Sequence, residues 1–217
     1  MIQPWPSVGQ IYAQVAARHG FTNVSPDLLN RQFSAAWAAK KAFDHSPNAW
    51  LDLVARTFAG SLDKSEVQKM FNSLYDQFAA PEVWRVFDEV HSTLTALGKR
   101  AFRLGIISNW DERLRPLLER LQLSGYFQVV AISIEIGSAK PFPEIFNRAA
   151  SLLNLPPSAI LHIGDSWQED VIGAQAAGFQ ALLLNRNAAT RGPQGIRTLD
   201  EMLPLIVKNV SDAEAQA

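Results

Sequence analysis

Five polar residues between positions 108 and 170 have the side chains that phosphoryl-group chemistry requires. They are, in chain order, Ser108, Asn109, Lys140, Asp165 and Asp170. A hydroxyl and the main-chain N–H groups beside it can hold phosphate oxygens at the start of a helix. An ammonium group can neutralise charge on a phosphoryl group and on its nucleophile. Carboxylates are the hard oxygen ligands that Mg²⁺ takes. These residue types therefore predict a phosphoryl site that uses magnesium.

Most of these candidates also fit an ordinary structural role when considered alone. Ser108 and Asp165 could cap helix N-termini, and Lys140 could be a solvated surface lysine. The functional interpretation rests on their combination, because they follow three successive apolar runs. We expect phosphate to bind at Ser108, Asn109 and Lys140, and Mg²⁺ at Asp165. Asp170 would support the metal shell or the lysine.

Other site types are not indicated by the sequence. There is no cysteine, so disulfides, thiolate metal sites and a cysteine nucleophile are excluded. The chain has no G-x-S-x-G, G-x-G-x-x-G or P-loop pattern. Its four histidines do not cluster, and we interpret His162, inside an apolar run, as a core residue.

Alternating strand and helix patterns are expected to position the candidates. The predicted strands are Phe102–Ile107, Val129–Ile134, Ala159–Ile163 and Gln180–Leu184. The predicted helices are Val83–Leu97, Arg113–Leu121, Pro143–Leu153 and Glu169–Ala177, with a last helix from Thr198. This alternation predicts an α/β fold with a Rossmann-like parallel sheet, in which ligands bind beyond the carboxyl ends of the strands. We assign residues 81–209 to this core and 210–217 to a frayed tail.

The first part of the chain has a different pattern. Apolar residues recur at helical spacing through residues 7–80, and Pro26, Pro47 and Ser65 stand at expected helix starts. We therefore predict a cap domain of about four helices ahead of the α/β core.

Composition and charge limit the partners. Twenty Lys and Arg residues against 21 Asp and Glu residues give a net charge of -1, so nothing points to nucleic acid or an anionic membrane surface. The N-terminal residues do not resemble a signal peptide, and no apolar run is long enough to span a membrane. We expect a cytoplasmic protein that acts on a small molecule, and we leave a homodimer open.

Three segments resemble a known family. LGIISNWD, GSAKPFPEIF and HIGDSWQEDVIGA look like motifs II, III and IV of the haloacid dehalogenase-like hydrolase superfamily, in order and spacing. The residues before them resemble the helical cap of the branch that includes the haloacid dehalogenase-like hydrolase domain-containing protein 3 group. The resemblance implies that Ser108 binds the phosphoryl group, Lys140 pairs with nucleophile and phosphate, and Asp165 ligates Mg²⁺, with Asp170 supporting that shell.

One part of the family pattern is missing. The family's first motif, a strand ending in D-x-x-G-T-[LV], supplies the nucleophilic aspartate, and no such segment occurs in these 217 residues. We therefore expect the first core strand to be absent from the sheet, with Phe102–Ile107 and Ala159–Ile163 on either side of the gap. We also expect Met1 to occupy the position of the family's Leu in G-T-L, and the upstream reading frame to encode the missing strand.

The resemblance leaves several functions open. A Mg²⁺-dependent phosphatase acting on a small phosphorylated metabolite, inactive as this chain stands, is the first hypothesis. Dehalogenase chemistry is a variant that needs no metal, which a retained Asp165 disfavours. A non-catalytic protein that binds phosphate or a partner is the alternative. A signalling receiver domain fits poorly, because its acidic residues precede its hydroxyl and lysine.

Overall fold

The computed structural model describes residues 1–40, 43–188 and 195–206 of the chain. Within these ranges, no helix has both the length and the apolar character needed to cross a membrane. The expected tail at 210–217 lies outside the described residues.

The chain divides into two compact units. The helical unit contains Ile2–Val86 and Trp110–Gln122, and the sheet unit contains Met1, Phe87–Asn109 and the described residues from Leu123 onward. The division proposed from sequence, between residues 80 and 81, did not include the return of Trp110–Gln122 to the helical unit.

Four helices form most of the helical unit. They are α1 (Val8–Arg18), α2 (Pro26–Ala38), α3 (Pro47–Thr57) and α4 (Lys64–Gln77). Each follows a residue whose side chain accepts a hydrogen bond from a main-chain N–H of the first turn; these residues are Ser7, Ser25, Ser46 and Asp63. Such caps satisfy N–H groups that have no partner inside the helix. The predicted four-helix arrangement is confirmed, and its starts at Pro26 and Pro47 are correct.

Apolar and aromatic side chains fill the core of the helical unit. Val15, Leu29 and Met70 are fully buried there. The ring of Tyr12 stacks on Phe58 with centroids 5.7 Å apart. Burial of these side chains is the main stabilising term for such a bundle, at about 1.5–3 kcal/mol for each large residue.

A buried ion pair attaches the segment Trp110–Gln122 to these helices. Asp111 is fully buried, and its two oxygens accept hydrogen bonds from Arg113 at 2.7 and 2.6 Å. The indole N–H of Trp50 donates to the same carboxylate at 2.9 Å. Arg113 also donates to the main-chain carbonyl of Tyr75 at 2.6 Å. A helix, α6 (Leu114–Arg120), follows this anchor.

A short antiparallel strand pair completes the helical unit. In it, β1 (Ile2–Pro4) pairs with β2 (Trp84–Val86). The predicted helix over Val83–Leu97 is therefore wrong at its start, and the observed helix is α5 (Val90–Lys99), in the sheet unit. The local pattern could not indicate β2, because its partner strand lies far away in the sequence.

The sheet unit contains two separate parallel sheets. One pairs β3 (Gly105–Ser108) with β4 (Val129–Ile132). The other has the order β5 (Leu161–Gly164), β6 (Gln180–Leu184) and β7 (Gly195–Ile196). The four predicted strands are all present, mostly with shorter bounds. The run from Phe102 becomes a strand only at Gly105, and the N–H of Leu104 donates to the side chain of Gln128 instead.

Helices beside the strands supply the core of the sheet unit. They are α7 (Ser133–Ile136), α8 (Pro143–Leu153), a π-helical segment (Trp167–Ile172) and α9 (Gly173–Ala176). Ile145 and Phe146 of α8 are fully buried and belong to one apolar cluster with Ala131, Ala174 and Phe179. The last predicted helix begins as a 3₁₀ turn at Leu199–Met202.

The two sheets leave β3 and β5 with one unpaired edge each. Among the described residues, no backbone hydrogen bond joins β3 to β5. All four residues of β5 are only partly buried, whereas strands in the middle of a parallel sheet are normally covered on both faces. This arrangement agrees with the expected absence of a core strand between them.

The buried Asp111–Arg113 pair gives a stability prediction. We expect Asp111→Asn to lower the free energy of unfolding of the helical unit by about 3 kcal/mol, because Arg113 would keep its charge without a buried anion. The exposed pair of Asp52 and Lys64, 2.8 Å apart, is the matched control. Asp52→Asn should cost at most about 0.5 kcal/mol. Urea unfolding followed by circular dichroism measures both; equal effects would contradict the prediction.

Candidate active site at the carboxyl ends of the strands

The five residues selected from sequence all lie in the sheet unit. Ser108 is the last residue of β3, and Asn109 follows it. Lys140 is in the loop between α7 and α8. Asp165 follows β5 directly and is exposed, while Asp170 is in the π-helical segment and is buried. Ser108 and Asp165 thus lie at the carboxyl ends of β3 and β5, each of which has one unpaired edge.

Asp170 is the centre of a buried polar network. Its Oδ1 accepts hydrogen bonds from the Lys140 ammonium at 2.5 Å and from Nε2 of His162 at 2.9 Å. Its Oδ2 accepts the main-chain N–H of Ser166 at 2.9 Å. Both oxygens are therefore used within the protein. One of these hydrogen bonds orients Lys140, and all three hold the carboxylate inside the protein.

The ionisation of this network follows from its contacts. Burial by itself would raise the pKa of Asp170, but hydrogen bonds from His162 and Lys140 and the charge of Lys140 outweigh it and hold that pKa well below its ordinary value. Burial lowers the pKa of His162, and the Lys140 charge adds to this effect. We infer a neutral His162 that donates its Nε2 proton to the Asp170 carboxylate, which can only accept.

A glycine permits the close approach of Asp170 to β5. A Cβ atom at Gly164 would lie 2.0 Å from Cγ of Asp170, far inside van der Waals contact. The π-helical turn that follows brings the carboxylate back over the end of its own strand, where it accepts the N–H of Ser166. π-Helical turns of this kind are frequent at functional sites.

Asn109 makes a second set of contacts at the same edge. Its Oδ1 accepts the main-chain N–H of Lys140 at 2.7 Å, and its Nδ2 donates to the main-chain carbonyl of Lys140 at 2.9 Å. Nδ2 also donates to Oε2 of Glu169 at 3.2 Å. Asn109 therefore holds the loop that carries Lys140.

The N-terminal amine also belongs to the sheet unit. Burial lowers the pKa of the Met1 amine, and the positive charge of Arg186 lowers it further. Asp165 and Glu89 act in the opposite direction.

The comparisons with known proteins identify the family. The model described as haloacid dehalogenase-like hydrolase matches residues 6–178. The chain belongs to this family. The Bos taurus haloacid dehalogenase-like hydrolase domain-containing protein 3 is 36% identical over 188 residues, which are 82% of this chain and 74% of that protein. The resemblance stated from the motifs is confirmed.

Two further relatives are phosphatases by name. A glyceraldehyde 3-phosphate phosphatase of Methanothermobacter thermautotrophicus is 35% identical over 107 residues, covering 46% of this chain and 45% of that protein. The crystal structure of a HAD phosphatase from Thermococcus onnurineus aligns with a TM-score of 0.64 and 26% identity, over 92% of this chain and 87% of that one.

The residues present can be tested against the Mg²⁺ that such hydrolases employ. No group of three or more histidine, cysteine or acid side chains suited to a metal occurs among the described residues. Asp165 is an exposed carboxylate, and one or two carboxylates are enough for Mg²⁺ when waters and phosphate oxygens complete its shell. The donor set therefore fits Mg²⁺ through Asp165, with Asp170 supporting the site indirectly.

Two residues of this candidate site, His162 and Glu169, were not among the five predicted from the sequence. His162 was interpreted as a core residue, and its ring does pack edge-on against Phe146 at 5.3 Å. It also pairs with Asp170, and a signal for this existed: His162 and Gly164 share one face of β5, the face that Asp170 covers. Glu169 was not selected, and no sequence signal pairs it with Asn109.

The glycine beneath Asp170 gives the first site prediction. We expect Gly164→Ala to lower the free energy of unfolding by about 2 kcal/mol or more, because the added methyl group must displace Asp170. Gly98→Ala, in α5 with no atom within 4 Å of the added carbon, is the control. It should raise stability by about 0.5 kcal/mol. Thermal and urea unfolding compare the two; a neutral Gly164→Ala would contradict the packing described.

The lowered pKa values of His162 and Asp170 predict a loss of stability in acid. An unfolded chain would protonate His162 first, near its ordinary pKa of 6.5, so stability should fall as the pH drops below this value. Asp170, whose pKa is also lowered by folding, adds a second loss below about pH 4.

A variant at position 162 separates the two losses. His162→Gln should remove the loss that begins near pH 6.5 and retain the one below about pH 4. The other three histidines are unchanged and cancel in this comparison. Urea midpoints measured from pH 8 down to about pH 3 cover both losses. Identical profiles for both proteins would show that His162 is not responsible.

Proposed function

We propose that this chain is the greater part of a Mg²⁺-dependent phosphatase that acts on a small phosphorylated metabolite. The observation that carries the proposal is the buried pairing of Lys140 with Asp170, which also accepts a hydrogen bond from His162, at the edge where β3 and β5 end. An ion pair with a purely structural role could lie anywhere in the core. Here the lysine lies at the edge that also carries Ser108, at the end of β3, and Asp165, after β5. The phosphatase names of two relatives support the same reaction class.

Each residue has a definite part in the proposed reaction. The Ser108 hydroxyl and adjacent main-chain N–H groups bind phosphoryl oxygens. The Lys140 ammonium, oriented by Asp170, stabilises the negative charge shared by nucleophile and phosphoryl group. Asp165 would hold Mg²⁺, which supplies charge neutralisation at the phosphoryl oxygens.

The proposed reaction also needs a carboxylate nucleophile, which we assign to a strand lying between β3 and β5. The carboxylate oxygen attacks phosphorus, the P–O bond to the metabolite breaks, and the leaving alkoxide takes a proton from water. Water then attacks the aspartyl phosphate, releasing phosphate and restoring the carboxylate. The unpaired edges of β3 and β5 support this assignment.

Phosphatase chemistry is favoured over dehalogenation by one residue. A dehalogenase of this family needs no metal, so it has no need for a carboxylate such as Asp165 in an exposed position at the end of β5.

The absence of cysteine suits a reducing compartment, and we propose a cytoplasmic location on that basis.

Turnover by two forms of the protein tests this proposal. The 217-residue chain with Mg²⁺ should not hydrolyse p-nitrophenyl phosphate, because it has no carboxylate placed for attack. A longer chain carrying the upstream codons, if these encode an apolar strand ending in Asp-x-x-Gly-Thr, should turn over the substrate.

Two variants of the longer chain serve as controls. Asp→Asn at its new aspartate should abolish turnover, and Asp165→Asn should reduce it by about 100-fold or more. Activity of the 217-residue chain that is lost on Asp165→Ala would refute the assignment of the nucleophile. An in-frame stop directly upstream of Met1 would favour a non-catalytic binding protein.

A further inference from the structure

The side-chain amide of Asn109 makes hydrogen bonds with three protein groups. An asparagine amide has two N–H donors and one carbonyl oxygen with two lone pairs. Here Nδ2 donates to the Lys140 carbonyl and to Glu169, and Oδ1 accepts the Lys140 N–H. A phosphate oxygen could accept a hydrogen bond from this amide only by displacing one of its present acceptors. The side chain is therefore poorly suited to the phosphate-binding role expected from sequence.

These contacts cross the break between the two sheets. Asn109 extends from the end of β3, whereas Glu169 belongs to the π-helical segment after β5. Because no backbone hydrogen bond joins β3 to β5 among the described residues, side-chain contacts contribute to the spacing of these two strand ends. Asn109 does so at the carboxyl edge, directly after Ser108.

The contacts also fix the main chain of Lys140 on both sides. The N–H and the carbonyl of this one residue are both bound by the Asn109 amide, in the manner of a strand partner. The lysine side chain then extends to Asp170, and only 12% of it is exposed. A shift of the Lys140 main chain would therefore change the position of the ammonium relative to Asp170 and to Ser108.

We propose that Asn109 is a positioning residue, whose amide links the Lys140 loop to Glu169 and thereby sets the distance between the Lys140 ammonium and the Ser108 hydroxyl. The expected effect on phosphate binding rests on the proposed function, whereas the expected effect of Asn109 on the position of Lys140 does not. Glu169 acts as the acceptor that orients the amide.

An exchange of side-chain types between two positions tests this link. Asn109→Asp places a carboxylate against the Glu169 carboxylate and the Lys140 carbonyl, while keeping an acceptor for the Lys140 N–H. Adding Glu169→Gln supplies an amide donor opposite that new carboxylate. The double variant N109D/E169Q therefore has the two side-chain types exchanged and the net charge of the original protein. Phosphate binding to the 217-residue chain in the presence of Mg²⁺, measured by isothermal titration calorimetry, is the readout.

We expect N109D to weaken phosphate binding by at least about tenfold and E169Q to have a small effect. The double variant should bind at least about tenfold more tightly than the product of the two single effects predicts. A direct phosphate ligand at Asn109 could not be rescued from position 169. Single effects that simply multiply in the double variant would therefore overturn the proposal.

Gln128→Ala is the control for a purely structural effect. Gln128 also binds a main-chain N–H with its side-chain amide, that of Leu104, but at the opposite end of β3. Its replacement should lower stability and leave phosphate affinity within about twofold. An equal loss of affinity in Gln128→Ala and Asn109→Ala would refute a specific role for Asn109.

Crystal structures of Asn109→Ala and Gln128→Ala separate this proposal from the proposed function. We expect the Lys140 ammonium to move beyond about 4 Å from Asp170 in the first variant and to stay paired in the second. If the unaltered chain binds no phosphate, the proposed function loses its support, and the two structures still decide the positioning role. An undisplaced Lys140 in Asn109→Ala would overturn it.

Discussion

The buried carboxylate of Asp170 connects the groups of the candidate site at the carboxyl ends of the strands. Asp170 accepts hydrogen bonds from Lys140, from His162 and from the main chain of Ser166, and each of these lies on a different part of the sheet unit. A buried carboxylate is costly unless its charge is paired and its oxygens are satisfied. Because all three donors are needed for this, the ionised network specifies one arrangement of the strand ends.

This network has added importance because the sheet beneath it is divided. β3 and β5 exchange no backbone hydrogen bonds, so their relative position is set by α8 and the apolar cluster on one side and by polar side chains at the carboxyl edge. Asn109 and Lys140 provide the polar connection. Two of the residues that phosphate chemistry first singled out are therefore also the residues that join the two sheets.

Much of the fold could be predicted from local patterns. The four helices α1–α4 and the four main strands follow from apolar periodicity and from capping residues, which are properties of neighbouring positions. The failures were β1 and β2, whose pairing is long-range, and the return of Trp110–Gln122 to the helical unit. That return depends on the buried contact of Asp111 with Trp50, distant in the chain.

The same distinction between local patterns and long-range contacts applies to the candidate site. Residue type and chain order were enough to select Ser108, Lys140, Asp165 and Asp170, because chemistry restricts which side chains can serve at successive strand ends. The tertiary structure then determined which side chains pair with the candidates. His162 pairs with Asp170, and Glu169 pairs with Asn109. Folding also enclosed Asp170 and left Asp165 exposed, so the two carboxylates differ in whether they can meet a metal ion. Hydrogen bonds between distant positions have no periodic signature in a single sequence, and only the three-dimensional arrangement of the chain brings their atoms within reach.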